Sequence, residues 1–234
     1  MTPYYDDSKG IQIFLGDCRD VLPTLGPVDA VITDPPYQSL DVQVGKGTTT
    51  RLVSRDQFSG KRLAASDGAS WFGTLAPCEI LTILEDCRRL IRDTGALYVF
   101  GDVKSGLELF PGWTRNVIVW DKQAIGMGYA WRRMHEWIAY QPMKAHRLRD
   151  MSLGDIIRCP GVEEKQHPTE KPVGVIKPLI LNSTDPGETI LDPFMGSGTT
   201  LRAAKDLGRR CIGIELEEKW AEVAAKRLAQ EVLI

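Results

Sequence analysis

Short apolar runs recur along the chain, and most of them end at a turn residue or an acid. Seven runs have the length and β-branched content of strands, and they span residues 11–17, 28–34, 96–102, 116–121, 136–140, 188–192 and 210–216. Most are apolar at consecutive rather than alternate positions, which is typical of strands covered on both faces. The pattern therefore predicts a sheet buried between two layers.

Helical periodicity fills two of the remaining intervals. One helix is predicted to follow Pro77 and to stop at Gly95. Its apolar face consists of Ile80, Leu81, Leu84, Cys87, Leu90 and Ile91. A second helix near the end of the chain has acids first and bases later, as the helix dipole prefers. Its apolar stripe consists of Trp220, Val223, Ala224, Leu228 and Val232. Strands that alternate with helices predict an α/β fold with a mostly parallel, doubly wound sheet.

Length, charge and cysteine content restrict the number of domains and the class of protein. A chain of 234 residues with 43% hydrophobic residues is typical of one globular domain, here residues 1–234. The net charge is −2, so contact with nucleic acid has to come from local basic clusters. Five cysteines without a CxxC spacing indicate a reduced, cytoplasmic protein. We recognise no targeting segment or membrane span, and we expect no membrane partner.

Acids follow the apolar runs at five places. They are Asp17, Asp34, Asp102, Asp192 and Glu215. Ligands of an open α/β sheet bind outside the carboxyl ends of its strands, so these acids predict one shared site. Acids also end strands without any function, and for each acid alone that interpretation stays open.

The stretch "LDPFMGSGTTLRAAKDLG" predicts a strand, a glycine turn and a helix. Gly196 and Gly198 let the backbone approach a ligand. The stretch is no P-loop, because the Gly-Lys-Ser/Thr element is missing, and Leu201 stands where a dinucleotide fingerprint has its third glycine. Asp192 suits a ligand ammonium and Glu215 suits ribose hydroxyls. A ribose-bearing ligand with a cationic amine therefore fits better than a nicotinamide dinucleotide.

The tetrapeptide Asp34-Pro35-Pro36-Tyr37 has the chemistry of an acceptor for an amine. The two prolines restrict the backbone and remove N–H donors, so carbonyls and the carboxylate of Asp34 remain as acceptors. Tyr37 adds a flat face on which a heteroaromatic ring can stack. A rigid turn with Tyr37 in the core is the alternative.

Three motifs occur in the order "DPPY" (34–37), "HPTEKP" (167–172) and "DPFMGSGTT" (192–200). In this order the chain resembles the beta-class, circularly permuted DNA amino-methyltransferases that use S-adenosylmethionine. The resemblance extends from Asp17 to the final helix and implies a Rossmann-like methyltransferase fold. It implies double-stranded DNA as the partner, S-adenosylmethionine as the cofactor and no metal.

The resemblance also implies roles for single residues. Asp34 and the carbonyl of Pro35 would hold the amine of a base flipped out of the duplex, beside Pro36, and Tyr37 would stack on it. The implied cofactor residues are Asp17, Cys18, His167, Thr169, Lys171, Asp192, Phe194, Gly196, Ser197, Gly198, Thr199 and Glu215. Thr169 and Lys171 would meet the methionine carboxylate, and His135 and Glu136 would lie beside the target base. The same stretch also has the pattern of a helix start, with Thr169 as the cap and Pro172 in the first turn, and both interpretations can hold together.

Two basic segments are candidates for DNA contact. Residues 38–72 form a polar, basic insertion that we expect to act as a lid. Residues 141–166 stand where the family keeps its target-recognition region. They are so few that we expect recognition to be brief, or to be shared with the lid or with a second subunit of a homodimer. The residues expected to bind phosphate are Arg51, Arg55, Lys61, Arg62, Arg132, Arg133, Lys144, Arg147 and Arg149.

Several alternatives remain open at this point. The main prediction is methylation of adenine N6, since an Asp-led tetrapeptide more often accompanies adenine in the family, and cytosine N4 is the alternative. Pro77-Cys78 has the form of a cytosine carbon-5 nucleophile but opens a helix. A catalytically idle DNA-binding regulator is the alternative from another class. His135, His146, His167 and Cys159 lack the spacing of metal ligands.

Overall fold

The structure is a computed structural model that describes residues 1–36, 75–102, 106, 114–125, 131–167 and 169–230. Tyr37, the predicted lid at 38–72 and Val232 lie outside the described residues. So do four of the predicted phosphate contacts, Arg51, Arg55, Lys61 and Arg62.

In the described residues, nine strands form a single sheet. They are β1 (Tyr5–Asp6), β2 (Ile11–Leu15), β3 (Val28–Thr33), β4 (Ile91–Gly101), β5 (Asn116–Asp121), β6 (His135–Pro142), β7 (Ile156–Arg158), β8 (Thr189–Asp192) and β9 (Arg210–Glu215). Their order across the sheet is β1-β2-β9-β8-β3-β4-β6-β5-β7. All seven predicted strands are present, and the two short edge strands β1 and β7 were not predicted.

The strands β2, β9, β8, β3 and β4 run parallel to one another. The strand β6 is antiparallel to β4 and β5 is antiparallel to β6, while β7 is parallel to β5. The prediction of a mostly parallel sheet is confirmed. We call the edge where the parallel strands end the carboxyl edge, and the opposite one the amino edge.

Helices cover both faces of the sheet. They are α1 (Cys18–Val21), α2 (Pro77–Leu90), α3 (Val173–Ser183), α4 (Thr199–Asp206) and α5 (Glu218–Ala229). Buried residues of α1 and α2 pack with Leu97 and Val99 of β4. Buried residues of the other three helices pack with Tyr98 and Phe100, which alternate with them along the strand. This double coverage explains the consecutive apolar positions and confirms the doubly wound prediction.

The predicted end of the helix that follows Pro77 was wrong. Helix α2 ends at Leu90, and β4 begins at the next residue, so Gly95 lies within the strand. A Cβ at Gly95 would lie 2.2 Å from the carbonyl oxygen of Asp29, so this glycine permits a close approach of two backbones rather than a helix stop. In α2, Ile83 is buried, and Leu81, which was predicted on the apolar face, is only partly buried.

Among the helices in the described ranges, none combines the length and apolar character needed to cross a membrane.

Candidate active site

A cavity of about 380 Å³ opens at the carboxyl edge of the sheet. It is lined by most of the residues singled out in the sequence, namely Asp17, Cys18, Asp34, Pro35, Pro36, His167, Thr169, Lys171, Asp192, Phe194, Gly196, Ser197, Thr199 and Glu215. Gly198 was also singled out, and it lies just behind this lining, where it supports the helix α4. The carboxyl ends of the four parallel strands β2, β3, β8 and β9 thus meet at one cavity, as expected from the sheet, and residues 167 and 169–171 join them.

The glycine turn at the start of α4 requires its two glycines. Gly196 and Gly198 have φ angles of 51° and 77°, in the left-handed region. A Cβ at Gly198 would lie 2.7 Å from the Cβ of Ala224, so α4 and α5 pack closely only because no side chain intervenes. The backbone N–H of Gly196 donates a 3.0 Å hydrogen bond to Glu215. The turn and this acid are therefore held as one unit.

Asp192 is a buried acid at the base of the cavity, only 4% exposed. Burial raises the pKa of Asp192 to about 7, although hydrogen bonds from Thr200 and Thr33 oppose the rise. The hydroxyl of Thr33 lies 2.9 Å from Oδ1, and the backbone N–H of Phe194 lies 3.2 Å from the same oxygen. A carboxyl group in this state gains most from a cationic ligand, which would offset the desolvation of its charged form.

Glu215 and Asp17 are the two other acids of the cofactor prediction. Glu215 accepts a second hydrogen bond from the backbone N–H of Glu217 at 2.9 Å, and burial raises the pKa of its carboxyl group. Asp17 caps α1 by accepting from the backbone N–H of Arg19. The side chain of Arg19 pairs with the same carboxylate at 2.6 Å and lowers its pKa. The two acids thus differ in their partners. The carboxylate of Asp17 is paired with the cation of Arg19, whereas Glu215 accepts hydrogen bonds from backbone N–H groups.

Cys18 lines the cavity without the properties of a nucleophile. Its side chain is buried, and burial raises the pKa of the thiol to about 12. The thiol is therefore neutral at physiological pH and packs as a small apolar side chain.

Four residues that precede α3 line one side of the cavity, namely His167, Thr169, Glu170 and Lys171. The ring of His167 lies edge-on to Trp220, with the ring centroids 4.3 Å apart. Burial lowers the pKa of His167 to about 4, so the ring is neutral at pH 7. Its Nδ1 lies 3.3 Å from the backbone nitrogen of Thr169, whose N–H it accepts. The ring therefore carries its proton on Nε2.

The helix-capping interpretation of Thr169 was wrong. Helix α3 has Pro172 as its N-cap and no side-chain capping bond. The hydroxyl of Thr169 lies 3.1 Å from His167 Nδ1 instead. Because the helix begins at Val173 with Pro172 as its N-cap, Thr169 is three residues away from the position that capping needs.

Lys171 makes contacts that the sequence did not predict. Its Nζ lies 2.5 Å from Oδ2 of Asp34 and 3.2 Å from Oε2 of Glu136. The ring centroid of Phe100 lies 5.5 Å from the same nitrogen. Burial lowers the pKa of Lys171, but Asp34 and Glu136 raise it by more, so the ammonium form prevails. We call Asp34 and the carbonyl of Pro35 the acceptor corner. Its carboxylate is therefore part of an ion pair with Lys171.

Several cavity residues were missed in the sequence. Thr33, Phe100 and Trp220 line the cavity. Glu136, which the resemblance had implied only beside the target base, joins the ion pair from β6. Thr33 directly precedes Asp34, which is the one local signal available for it. Trp220 was predicted only as a core residue of the last helix.

Two of the predicted phosphate contacts lie near this edge. Arg133 pairs with Asp102 at 2.8 Å, directly after the end of β4, and Arg132 beside it is exposed. His135 begins β6 and is exposed as well. Asp102 itself is not part of the cavity lining, so the prediction that it shares the site was wrong.

Three predicted phosphate contacts lie at the amino edge instead. The strand β6 ends there, since Pro142 pairs with Ala96 near the start of β4. Lys144 and Arg147 follow it and are exposed. Arg149 is bound by the acids Asp185 (2.8 Å) and Glu188 (3.5 Å), which precede β8. The structure therefore does not bring these three cations to the cavity.

Two competing chemistries receive no geometric support from the described residues. Pro77 and Cys78 begin α2, and Cys78 is exposed and outside the cavity lining. In the part of the chain that the structure describes, no group of three or more His, Cys, Asp or Glu side chains is arranged to hold a metal ion.

The chain is similar to known proteins both in sequence and in structure. A family model described as DNA methylase, N6_N4_Mtase, matches residues 140–226. The Type II methyltransferase M.HinfI of Haemophilus influenzae is 30% identical over 93% of the chain and 68% of its own length. The Type II methyltransferase M2.MboI of Moraxella bovis is 29% identical over 97% of the chain and 91% of its own length. The crystal structure of an M1.HpyAVI–SAM complex superposes with a TM-score of 0.65, at 23% identity over 93% of the chain and 99% of that structure.

Proposed function

The chain belongs to the DNA methylase family, and from that premise we propose that it transfers a methyl group from S-adenosylmethionine to adenine N6 in double-stranded DNA. The proposal includes the beta-class arrangement, in which the Asp34 motif precedes the glycine turn, and a specific target sequence. Methylation of cytosine N4 is the alternative within the same family.

One observation carries the proposal. The acceptor corner at Asp34 and the acids at the glycine turn, Asp192 and Glu215, line a single cavity of about 380 Å³. A methyl donor and an acceptor amine have to meet in such a site, because direct transfer requires the reacting atoms to lie in line and about 3 Å apart.

The cavity residues fit S-adenosylmethionine by their charge. When bound, this cofactor supplies an activated methyl group on a cationic sulfonium. Asp192, buried and with its pKa raised to about 7, would pair with the cationic amine of the ligand. Glu215, fixed by Gly196, would accept from the ribose hydroxyls. The indole of Trp220 and the backbone of the glycine turn would complete the wall.

The corner at Asp34 would prepare the amine. The carboxylate of Asp34 and the carbonyl of Pro35 would accept hydrogen bonds from the two amine protons. The amine lone pair, which is normally delocalised into the base, would then be localised on nitrogen and directed at the methyl group. Direct transfer needs no covalent enzyme intermediate, so most of the rate would come from positioning and preorganised dipoles.

The choice of adenine rests on the first residue of the tetrapeptide. An Asp-led motif more often accompanies adenine in the enzymes that this chain resembles. The same pair of acceptors can hold the amine of cytosine, and the base is therefore the point that an experiment has to decide.

For the DNA, we propose that Arg132 and Arg133 contact phosphate beside the cavity. The basic insertion at 38–72, outside the described residues, would add further contacts. Lys144, Arg147 and Arg149 are not part of the proposal, because they lie at the opposite edge of the sheet.

A transfer assay tests the proposal. The protein is incubated with methyl-labelled S-adenosylmethionine and duplex DNA, and the DNA is digested to nucleosides. We expect the label in N6-methyl-2′-deoxyadenosine with the wild-type chain, and an initial rate lower by about 100-fold or more with the Asp34→Ala variant. Label in N4-methyl-2′-deoxycytidine would establish the alternative, and an absence of label in DNA would contradict both.

A further inference from the structure

We propose that Glu136 is a positioning residue for the methyl-transfer reaction, and that it acts on Asp34 through Lys171. The inference rests on the proposed function, since it concerns the same corner of the same cavity. It adds a residue of β6 that belongs to none of the three sequence motifs.

The four side chains form an alternating chain of charge. Asp34 contacts Lys171 at 2.5 Å, Lys171 contacts Glu136 at 3.2 Å, and Glu136 contacts Lys122 at 2.5 Å. The side chain of Lys171 is 9% exposed, and those of Asp34 and Glu136 are 19% and 18% exposed. Screening by water is therefore weak, and each neighbour strongly affects the next.

Lys171 serves two purposes for Asp34. Its ammonium holds the carboxylate in place and keeps it ionised at a site from which water is largely excluded. An ammonium that belonged to Asp34 alone would also neutralise the negative charge that has to attract the amine protons. A second carboxylate on the same ammonium reduces that neutralisation.

Glu136 is this second carboxylate, and it is fixed from the other side. Burial raises its pKa, but Lys171 and Lys122 lower it by more, so Glu136 is ionised. Lys122 is held in turn by the hairpin of β5 and β6, where its backbone N–H donates to the carbonyl of Met134 at 2.9 Å. The hairpin thereby sets the position of Glu136. Glu136 in turn determines how far the ammonium of Lys171 neutralises the carboxylate of Asp34.

The other groups that face Lys171 fit this assignment. Phe100 lies under the ammonium, with 5.5 Å from nitrogen to ring centroid. Lys165 is close enough that Lys122 and Lys171 contribute to lowering its pKa, after burial itself. Asp34 and Glu136 are the two carboxylates that raise the pKa of Lys171 against the effect of its burial.

The test compares Glu136→Gln with a matched control. Glu136→Gln keeps the shape and removes the charge. Asp29→Asn is the control, because Asp29 is a buried carboxylate in a 2.8 Å ion pair with Arg92 at the amino edge, away from the cavity. For each variant we would measure kcat, the Kd for cofactor and for DNA, the pH profile of kcat, and the thermal unfolding midpoint.

We expect Glu136→Gln to lower kcat about tenfold, as loss of a supporting partner typically does, with both Kd values changed less than about threefold. The alkaline limb of the kcat profile should move to lower pH, because Lys171 loses one of two charges that oppose the effect of its burial. Glu136→Asp should restore part of the lost kcat and should reverse part of the shift of the alkaline limb. Asp29→Asn should reduce stability and leave kcat and its pH profile unchanged.

A second readout does not depend on turnover. The titration of Lys171, followed by NMR of ε-¹³C-labelled lysine in the free protein and assigned with Lys171→Met, should occur at lower pH in Glu136→Gln than in the wild type. An unchanged titration, an unchanged kcat, or equal losses of kcat in Glu136→Gln and Asp29→Asn would overturn the inference. Absence of methyl transfer by the wild-type chain would instead contradict the proposed function, and the lysine titration would still decide whether Glu136 holds Lys171.

Discussion

The hydroxyl of Thr33 donates a 2.9 Å hydrogen bond to the carboxylate of Asp192, although the two residues are 159 positions apart in the chain. Thr33 is the last residue of β3, directly before the acceptor corner, and Asp192 is the last residue of β8, directly before the glycine turn. The bond therefore connects the two halves of the proposed site and sets one in register with the other.

The raised pKa of Asp192 predicts that cofactor binding is linked to a proton. Asp192 has a pKa of about 7 in the free protein, so it is neutral below that pH and becomes anionic above it. A cationic ligand binds the anion better, and its affinity should rise roughly tenfold between pH 6 and pH 8. Calorimetric titration with S-adenosylmethionine at both values measures this. A change of less than about twofold would count against the pairing.

Two variants sharpen that measurement. In Asp192→Asn the dependence should flatten, since no titrating carboxyl group remains. In Thr33→Val the midpoint should move to higher pH, because the lost hydrogen bond favoured the anion.

In the free protein, the free energy of unfolding should change with pH in the opposite direction to the cofactor affinity. The pKa is raised from 3.8 to about 7 on folding, so this group's contribution to stability falls as the pH rises between those values.

The carboxylate of Asp34 should be needed for turnover but not for cofactor binding. We expect Asp34→Ala to lose about 100-fold or more in kcat, by analogy with the removal of other transition-state hydrogen bonds. Its Kd for S-adenosylmethionine should stay near the wild-type value, because Asp192 and Glu215 remain. Single-turnover kinetics and calorimetry separate the two effects. Near-normal turnover of this variant would remove Asp34 from the mechanism.

Gly198 should be essential for packing as well as for its backbone conformation. Gly198→Ala combines a φ of 77° with a contact of 2.7 Å to the Cβ of Ala224. Gly187→Ala is the matched control, because Gly187 has a φ of 84° and open space around it. Strain alone costs about 1–2 kcal/mol and overpacking about 1–3 kcal/mol more. Urea denaturation should show a larger loss of unfolding free energy for Gly198→Ala, and equal losses would refute the close contact.

The position of the cations predicts which of them bind DNA. The double variant Arg132→Ala, Arg133→Ala should reduce the slope of log K against log salt by about one to two, since each phosphate contact contributes about 0.9. The control is Lys144→Ala, Arg147→Ala, which removes the same charge at the amino edge. Fluorescence anisotropy at several salt concentrations provides the slopes. A larger effect from the control would mean that DNA binds the opposite edge.

The sheet and the meeting of three acids could be predicted because they depend on local pattern and on one topological rule. Strands buried on both faces have consecutive apolar residues, and parallel strands end at a common edge, where Asp34, Asp192 and Glu215 lie. The strands β1 and β7, of two and three residues, are too short to produce a periodic pattern.

The direction of β6 could not be predicted, and it accounts for the main errors at the site. Because β6 is antiparallel to β4, its first residues reach the carboxyl edge and the residues after it reach the amino edge. Glu136 therefore lies at the site, whereas Lys144 and Arg147 lie at the opposite edge of the sheet. The sequence pattern of a strand is the same in both directions, so only the tertiary pairing decides this.

The most direct test of the central claim uses DNA from cells. The chain is expressed in a bacterial host that lacks its own DNA methylation, and the DNA is sequenced by a method that detects modified bases. We expect N6-methyladenine within one short sequence motif with the wild-type chain and a much smaller modified fraction of the same motif with Asp34→Ala. N4-methylcytosine in such a motif, or unmodified DNA from cells that contain the folded protein, would contradict the account.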